Sequence, residues 1–212
     1  TDSVNQAQVA ILCGADTLSW KIAKPLFTNQ IEFNYMEAEL LGECKVADGK
    51  IRIASQEYSV LIAERSEYEN LDESKKALLK EFEESGGRVI IASGKLSENN
   101  EDTDLANAFV YAGNEKELPE LVLVNVSRDL CFSGDTHELR CSHIVKDGKH
   151  YLILTNEGME PITVGIRSGE YKAVSAWNPY TLKAALSVEN MTVEPCDLWI
   201  MELGAGEIND AN

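Results

Sequence analysis

Positive charge is scarce in this chain: 19 Lys and Arg stand against 36 Asp and Glu, leaving a net charge of −17 over 212 residues. Such a surface repels phosphate backbones and anionic lipid headgroups, so nucleic acid and membranes are excluded as partners. No apolar run approaches the roughly 20 residues that a membrane helix needs. The opening segment, Thr1 to Gln8, is polar and lacks the charged-then-apolar pattern of a secretory leader. It also lacks an initial Met, and the chain is therefore expected to be a domain excised from something longer.

Motifs that carry chemistry are equally sparse. The five cysteines (Cys13, Cys44, Cys131, Cys141 and Cys196) are odd in number and show no C-x-x-C spacing. Neither a disulfide framework nor a zinc site is implied. Buried, reduced thiols in a cytoplasmic setting are expected. The loop after the first apolar run, Gly14-Ala15-Asp16-Thr17, has neither G-x-G-x-x-G nor G-K-S/T, so a pyrophosphate has no seat and no nucleotide cofactor is expected. His137, His143 and His150 are spaced by six and seven residues, which does not converge on a metal. His143 and His150 flank Asp147-Gly148 and are expected as surface or cross-strand packing residues.

Two compositional regimes are nevertheless clear. In the first, strand and helix signals alternate. Gln8–Cys13, Tyr58–Ala63 and Arg88–Ala92 are β-rich apolar runs, Ile31–Tyr35 alternates, and Asp48-Gly49 closes a hairpin over 45–53 with a type I′ turn. Trp20, Ala23 and Phe27 have helical spacing, with Pro25 either starting the helix near Lys24 or kinking it. A second helix is predicted over 71–85, capped by Asn70 with Glu73, facing inward with Leu71, Leu78 and Phe82, and ended by Gly86-Gly87. A third is predicted over 103–112. Such alternation implies a parallel sheet covered on both faces. After the segment Gly113 to Pro119 the period changes. Residues 121–126, 139–145, 151–155, 162–166, 171–177, 184–188 and 198–203 read as strands separated by turns, an all-β antiparallel sandwich. The expected domains are 1–115 and 119–212.

Candidate catalytic groups do not assemble. Cys13 ends a strand, but all three histidines lie in the other half, so no base is at hand for a thiol nucleophile, and a packed thiol is the commoner fate. Glu37 with Glu39, and Glu83 with Glu84, are the pairings a glycosidase reading would need, yet an acidic chain yields such pairs by chance. Aromatic side chains offer one binding candidate. Trp177 and Tyr180 bracket Asn178-Pro179 and could stack on pyranose rings, set against the usual fate of a Trp in the core.

Two stretches resemble known domains. VAILCGADTLSW, QIEFNYMEAELL, KVADGKIRIASQEYSVLIAE and LLKEFEESGGRVIIASG follow one another as in the glutamine-amidotransferase-like, or trimerisation, domain of β-galactosidases and its relatives in large α-L-rhamnosidase-type glycoside hydrolases. LRCSHIVKDGKHYLILTNEGMEPITVGIRSGEYKAVSAWNPYTLKA is similar to the C-terminal β-domain of such hydrolases. There His143, Asp147-Gly148, Tyr151, Asn156 and Trp177-Asn178-Pro179-Tyr180-Thr181 fall in the matching places, with Leu182 where family members commonly have Gly. The resemblance implies a flavodoxin-like, class I amidotransferase-like three-layer domain without its ancestral nucleophile, then the β-sandwich. It also implies catalytic carboxylates in an upstream barrel, which needs about 250 residues of its own. The expected role is a non-catalytic accessory region of a multidomain glycoside hydrolase. Its partner would be the rest of the parent chain, with a homo-oligomer as a further possibility. The alternatives are a carbohydrate-binding module using Trp177 and Tyr180, and a cysteine-dependent amidotransferase-like enzyme using Cys13. No catalytic residue, metal or cofactor is assigned.

Overall fold

The computed structural model describes residues 2–92, 110–112 and 114–206. The chain order is β1 (Val4–Asn5), β2 (Val9–Cys13), α1 (Trp20–Thr28), β3 (Phe33–Glu37), β4 (Lys45–Ala47), β5 (Lys50–Ile53), β6 (Gln56–Tyr58), β7 (Val60–Glu64), α2 (Arg65–Glu69), α3 (Glu73–Glu84), β8 (Arg88–Ala92), β9 (Val110–Ala112) and α4 (Leu118–Leu123). It continues through β10 (Leu130–Ser133), β11 (Leu139–Lys146), β12 (Lys149–Asn156), β13 (Ile162–Ser168), β14 (Tyr171–Asn178), β15 (Lys183–Ala184), β16 (Asn190–Val193) and β17 (Leu198–Ala205). Two compact units result. One is formed by Ala7–Leu26 with the described part of Phe33–Val126, and the other by residues 2–6, Phe27–Glu32 and 127–206.

The layered unit holds a five-stranded sheet in the order β3-β2-β7-β8-β9, every neighbouring pair parallel. All five residues of β2 are buried, as a strand covered on both faces requires. On one face Leu12, Leu61, Ala63, Val89 and Ile91 pack with Leu79 and Phe82 of α3, Tyr68 of α2, and Ile51 and Tyr58 of the antiparallel ribbon β4-β5-β6. Asp48 and Gly49, both at positive φ (53° and 68°), make the tight turn of that ribbon.

Local chemistry sets the helix ends differently from expectation. The N-cap of α3 is Asp72, whose carboxylate accepts from Lys75 N at 3.0 Å and Ser74 Oγ at 2.6 Å; Asn70 instead ends α2. Leu79, not Leu78, is the fully buried leucine beside Phe82. The helix stops at Gly86 (φ 102°), and at Gly87 a Cβ would lie 2.0 Å from the Phe82 ring. Helix α1 begins at Trp20 and carries Pro25 inside it. The helix expected over 103–112 falls largely outside the described residues, and its last three positions form strand β9. Of residues 121–126, read as a strand, 121–123 instead end α4 and 124–126 follow it, because Pro119 sits in the first turn of that helix and Leu118 and Val122 bury one face.

The sandwich unit pairs a six-stranded sheet, β1-β11-β12-β17-β14-β15, with a three-stranded sheet, β10-β13-β16, all antiparallel. Leu139, Leu152, Leu154, Met201 and Leu203 of the larger sheet meet Leu130, Val164, Ile166, Met191 and Val193 of the smaller in one core. Asp147 and Gly148 (φ 52° and 73°) repeat the type I′ turn. The unit also takes in two early segments: β1 lies beside β11, and Phe27–Glu32 is pinned by polar contacts. Gln30, at φ 51°, donates to Thr136 O at 2.7 Å and accepts from Thr136 Oγ1 at 3.2 Å. Arg128 donates to Asn29 O, and the Arg140 guanidinium lies 5.2 Å from the Phe27 ring centroid. The Glu32 carboxylate accepts from Ser142 Oγ at 2.6 Å, His143 N at 2.7 Å and the Asn5 amide. Burial raises its pKa, while these three donors pull the other way.

Candidate functional site: a polar groove and a hairpin on the sandwich

Among the described residues, the hairpin joining β14 to β15 is the first place to look for a ligand, because it carries both Trp177 and Tyr180. Asn178 organises it. Its side chain is buried, accepts from Tyr180 N and Thr181 N at 2.9 Å each, and donates to Asp197 Oδ1 at 2.6 Å. Leu182 closes the loop at φ 58°, the left-handed conformation in which a β-carbon is strained. Tyr180 is 73% exposed and Leu182 85%. Trp177 does not join Tyr180 in a platform. It packs edge-to-face on Tyr151, with centroids 6.0 Å apart, and no ring contact links it to Tyr180 among the described residues.

A polar groove of about 680 Å³ crosses the sandwich, lined by Ser133, by Gly165 to Ser168, by Lys172 and Ala173, and by Val188 to Asn190. Its floor follows from strand alternation. Val164 and Ile166 point into the core, so Thr163, Gly165 and Arg167 point away from it. Gly165 lies opposite Ser133 on one side and Asn190 on the other. A Cβ there would lie 2.4 Å from Ser133 Oγ and 3.6 Å from Asn190 Oδ1, so those two polar atoms converge over the glycine. Sequence reasoning missed this groove. The available signal was a glycine in the middle of an outward-facing strand row, which marks close approach by a neighbour.

Next in order of chemical interest is a histidine pair. His143 is buried, and its Nδ1 lies 2.9 Å from Asp129 Oδ1 while its Nε2 lies 2.9 Å from His150 Nδ1. Tyr171 packs edge-on to His143 and stacks on His150, with centroids 5.0 Å away in both cases. His143 is therefore a core residue, and of the two expectations, surface position or cross-strand packing, it takes the second. The two rings are diagonal neighbours, since His143 pairs with Leu152 and His150 with Val145. Among the described residues no group of three or more His, Cys, Asp or Glu is placed to hold a metal.

The thiols divide by burial. Cys13 is buried at the end of β2, where burial, then Glu37 and Glu67, raise its pKa. Burial pushes Cys44 up to about 11, and its Sγ donates to Leu40 O. Both are held as neutral thiols, the opposite of an activated nucleophile. Cys131 and Cys196 are exposed, against the expectation of burial, and all five are free. Glu37 and Glu39 lie at the end of β3 and in the short 3₁₀ turn that follows, and Glu83 and Glu84 close α3. Glu83 is committed to the backbone of Val89 at 2.6 Å and to Arg88. No described helix is long and apolar enough to cross a membrane.

No protein-family profile matches the chain, and no curated protein is similar to it. Solved structures do share its fold. The rhamnosidase from Novosphingobium sp. PP1Y superposes with a TM-score of 0.63 at 13% identity over 98% of this chain and 23% of its own length. An exo-carrageenase of glycoside hydrolase family 42 from Bacteroides ovatus gives 0.61 at 13% identity, over 95% and 29%. The β-galactosidase from Bacillus circulans sp. alkalophilus gives 0.61 at 13% identity, over 96% and 42%. The chain thus spans well under half the length of each. Its fold is one found within glycoside hydrolase chains.

Proposed function

We propose that this chain is a non-catalytic accessory region of a multidomain glycoside hydrolase, contributing subunit contact, scaffolding or one wall of an active-site cleft. The observation that carries the reading is the asymmetry of coverage. Three glycoside hydrolases are matched over at least 95% of this chain but at most 42% of their own. The layered unit reads as a flavodoxin-like, amidotransferase-like domain. Taken in chain order its parallel strands run 2-1-3-4-5, the order of one common doubly wound sheet. Its strand-end thiol, Cys13, is held neutral, which supports a scaffold and not a cysteine enzyme. Incubation of the chain with a panel of nitrophenyl glycosides is expected to give no turnover, and robust hydrolysis would overturn the reading. The exposure of Tyr180 favours a second reading, a carbohydrate-binding surface at the hairpin. Titration with oligosaccharides, comparing Trp177→Ala and Tyr180→Ala with the unaltered chain, decides it.

A further inference from the structure

Arginine is rare here and almost fully engaged. Of six, Arg52 pairs with Glu57, Arg65 with Glu69, Arg88 with Glu83 and Arg140 with Glu157, while Arg128 donates to a backbone carbonyl. Arg167 alone makes no hydrogen bond or ion pair among the described residues. In a chain with 36 acidic side chains, a guanidinium without a partner among the described residues does not reflect any shortage of carboxylates. Arg167 lines the groove over Gly165, and Lys172, equally without a partner among the described residues, lines it too.

We propose that this groove binds an acidic oligosaccharide, with Arg167 pairing a sugar carboxylate or sulfate and Ser133 and Asn190 meeting ring hydroxyls. The proposal rests on the accessory reading above and names a ligand class for it. Four features select that class. The guanidinium fork matches a planar carboxylate or a sulfate edge, and Lys172 adds a second positive charge. The volume lies within the range of about 300–1,000 Å³ typical of small-ligand sites. The short hydroxyl and amide groups over the groove floor suit a polyol. Among the described residues no aromatic side chain lines the groove, so they offer no stacking surface of the kind a nucleobase would use. Glu189 on the lip, together with the net charge of −17, opposes a bare anion, so the sugar hydroxyls must contribute.

Calorimetric titration of the whole chain tests this with four probes: an oligogalacturonate, a sulfated galactan oligosaccharide, a neutral galactooligosaccharide and inorganic sulfate. The expected result is binding of at least one acidic oligosaccharide, at least tenfold tighter than the neutral sugar or sulfate alone and weakened by added salt. Which acidic probe binds distinguishes carboxylate from sulfate recognition. Arg167→Ala is expected to weaken binding at least tenfold. Arg167→Lys should fall between, because it keeps the charge and loses the fork, while Lys146→Ala, an exposed charge outside the groove lining, should match the unaltered chain. Circular dichroism checks that each variant is folded, and Lys172→Ala serves if Arg167→Ala is not. Absence of binding by both acidic probes, equal binding of the neutral sugar or of sulfate alone, or indifference to Arg167→Ala overturns the proposal. Hydrolysis of nitrophenyl glycosides would instead remove the accessory reading and leave the titration result standing.

Discussion

The two units of this molecule are specified by different kinds of side chain. In the layered unit the buried residues are apolar, and the central parallel strands β2, β7 and β8 are near-continuous hydrophobic runs. All three fully buried polar residues among those described, His143, Asn156 and Asn178, lie in the sandwich. Asn156 donates to Glu160 O at 2.8 Å and Val193 O at 2.9 Å and accepts from Gly158 N at 2.8 Å, tying a turn to strand β16. Glu32 and Gln30 do the same for a segment more than 100 residues away in sequence. Greasy runs suffice where neighbours in space follow one another in sequence. Where a unit is gathered from three separate pieces, directional hydrogen bonds fix which piece goes where.

That contrast can be broken most severely by cutting the chain. A fragment of residues 119–212, lacking 2–6 and 27–32, leaves β11 without its neighbour β1 and the Ser142 and His143 donors without Glu32. It is expected to show no cooperative thermal transition, whereas cooperative unfolding of the fragment would show that the early segments are dispensable. Next come single truncations. Phe82→Ala in the layered unit removes a fully buried ring and should cost about 3–5 kcal/mol in urea denaturation. Asn156→Ala should cost roughly 1–3 kcal/mol by orphaning one buried and two part-buried backbone groups. The sharper comparison is Asn156→Leu: if it is as stable as the unaltered chain, polar pinning does not specify the sandwich.

Smaller effects separate the units by pH and by backbone strain. Cys44 titrates near 9 when unfolded and at about 11 when folded, so the native state holds its proton longer. Its contribution is intact below pH 9 and is lost as pH rises toward 11, by about 1–3 kcal/mol. Cys44→Val should flatten that part of the alkaline stability profile. Smallest is Leu182→Gly, expected to stabilise by about 0.5–1 kcal/mol in the same denaturation assay by relieving the left-handed conformation. A loss of stability would instead give the exposed leucine a packing role.

What could be read from the sequence follows the same division. The runs 8–13, 58–63 and 88–92 lie on β2, β7 and β8 because a strand buried on both faces leaves an unbroken apolar signature. The two Asp-Gly turns were legible for an equally local reason, the demand for positive φ. Residues 121–126 misled because Leu121-Val122-Leu123-Val124 has strand-like composition, while Pro119 just upstream fixed the start of a helix. The cap of α3 slipped by two residues because Asn70 with Glu73 has capping-box spacing, whereas Asp72 has Lys75 at that position and caps through the hydrogen bond from Lys75 N. The membership of 2–6 and 27–32 in the sandwich was illegible, since it depends on partners beyond residue 127 that leave no local pattern. For the candidate site, Trp177 and Tyr180 were visible as aromatics, but their separation and the Arg167 groove depend on which strand face each side chain occupies.

The early strand has a consequence for synthesis. Val4 pairs with Val145, about 140 residues later in the chain. At a translation rate of roughly 5–20 residues per second, Val4 leaves the peptidyl-transferase centre about 7–30 s before its mate is made. Phe27–Glu32 waits nearly as long for Arg128, Thr136 and Ser142. The layered unit can close during that interval around its own consecutive strands, with both early segments still unclaimed. Folding on the ribosome would then run outward from the layered unit, and Val4–Asn5, made before that unit, would find their place only after it.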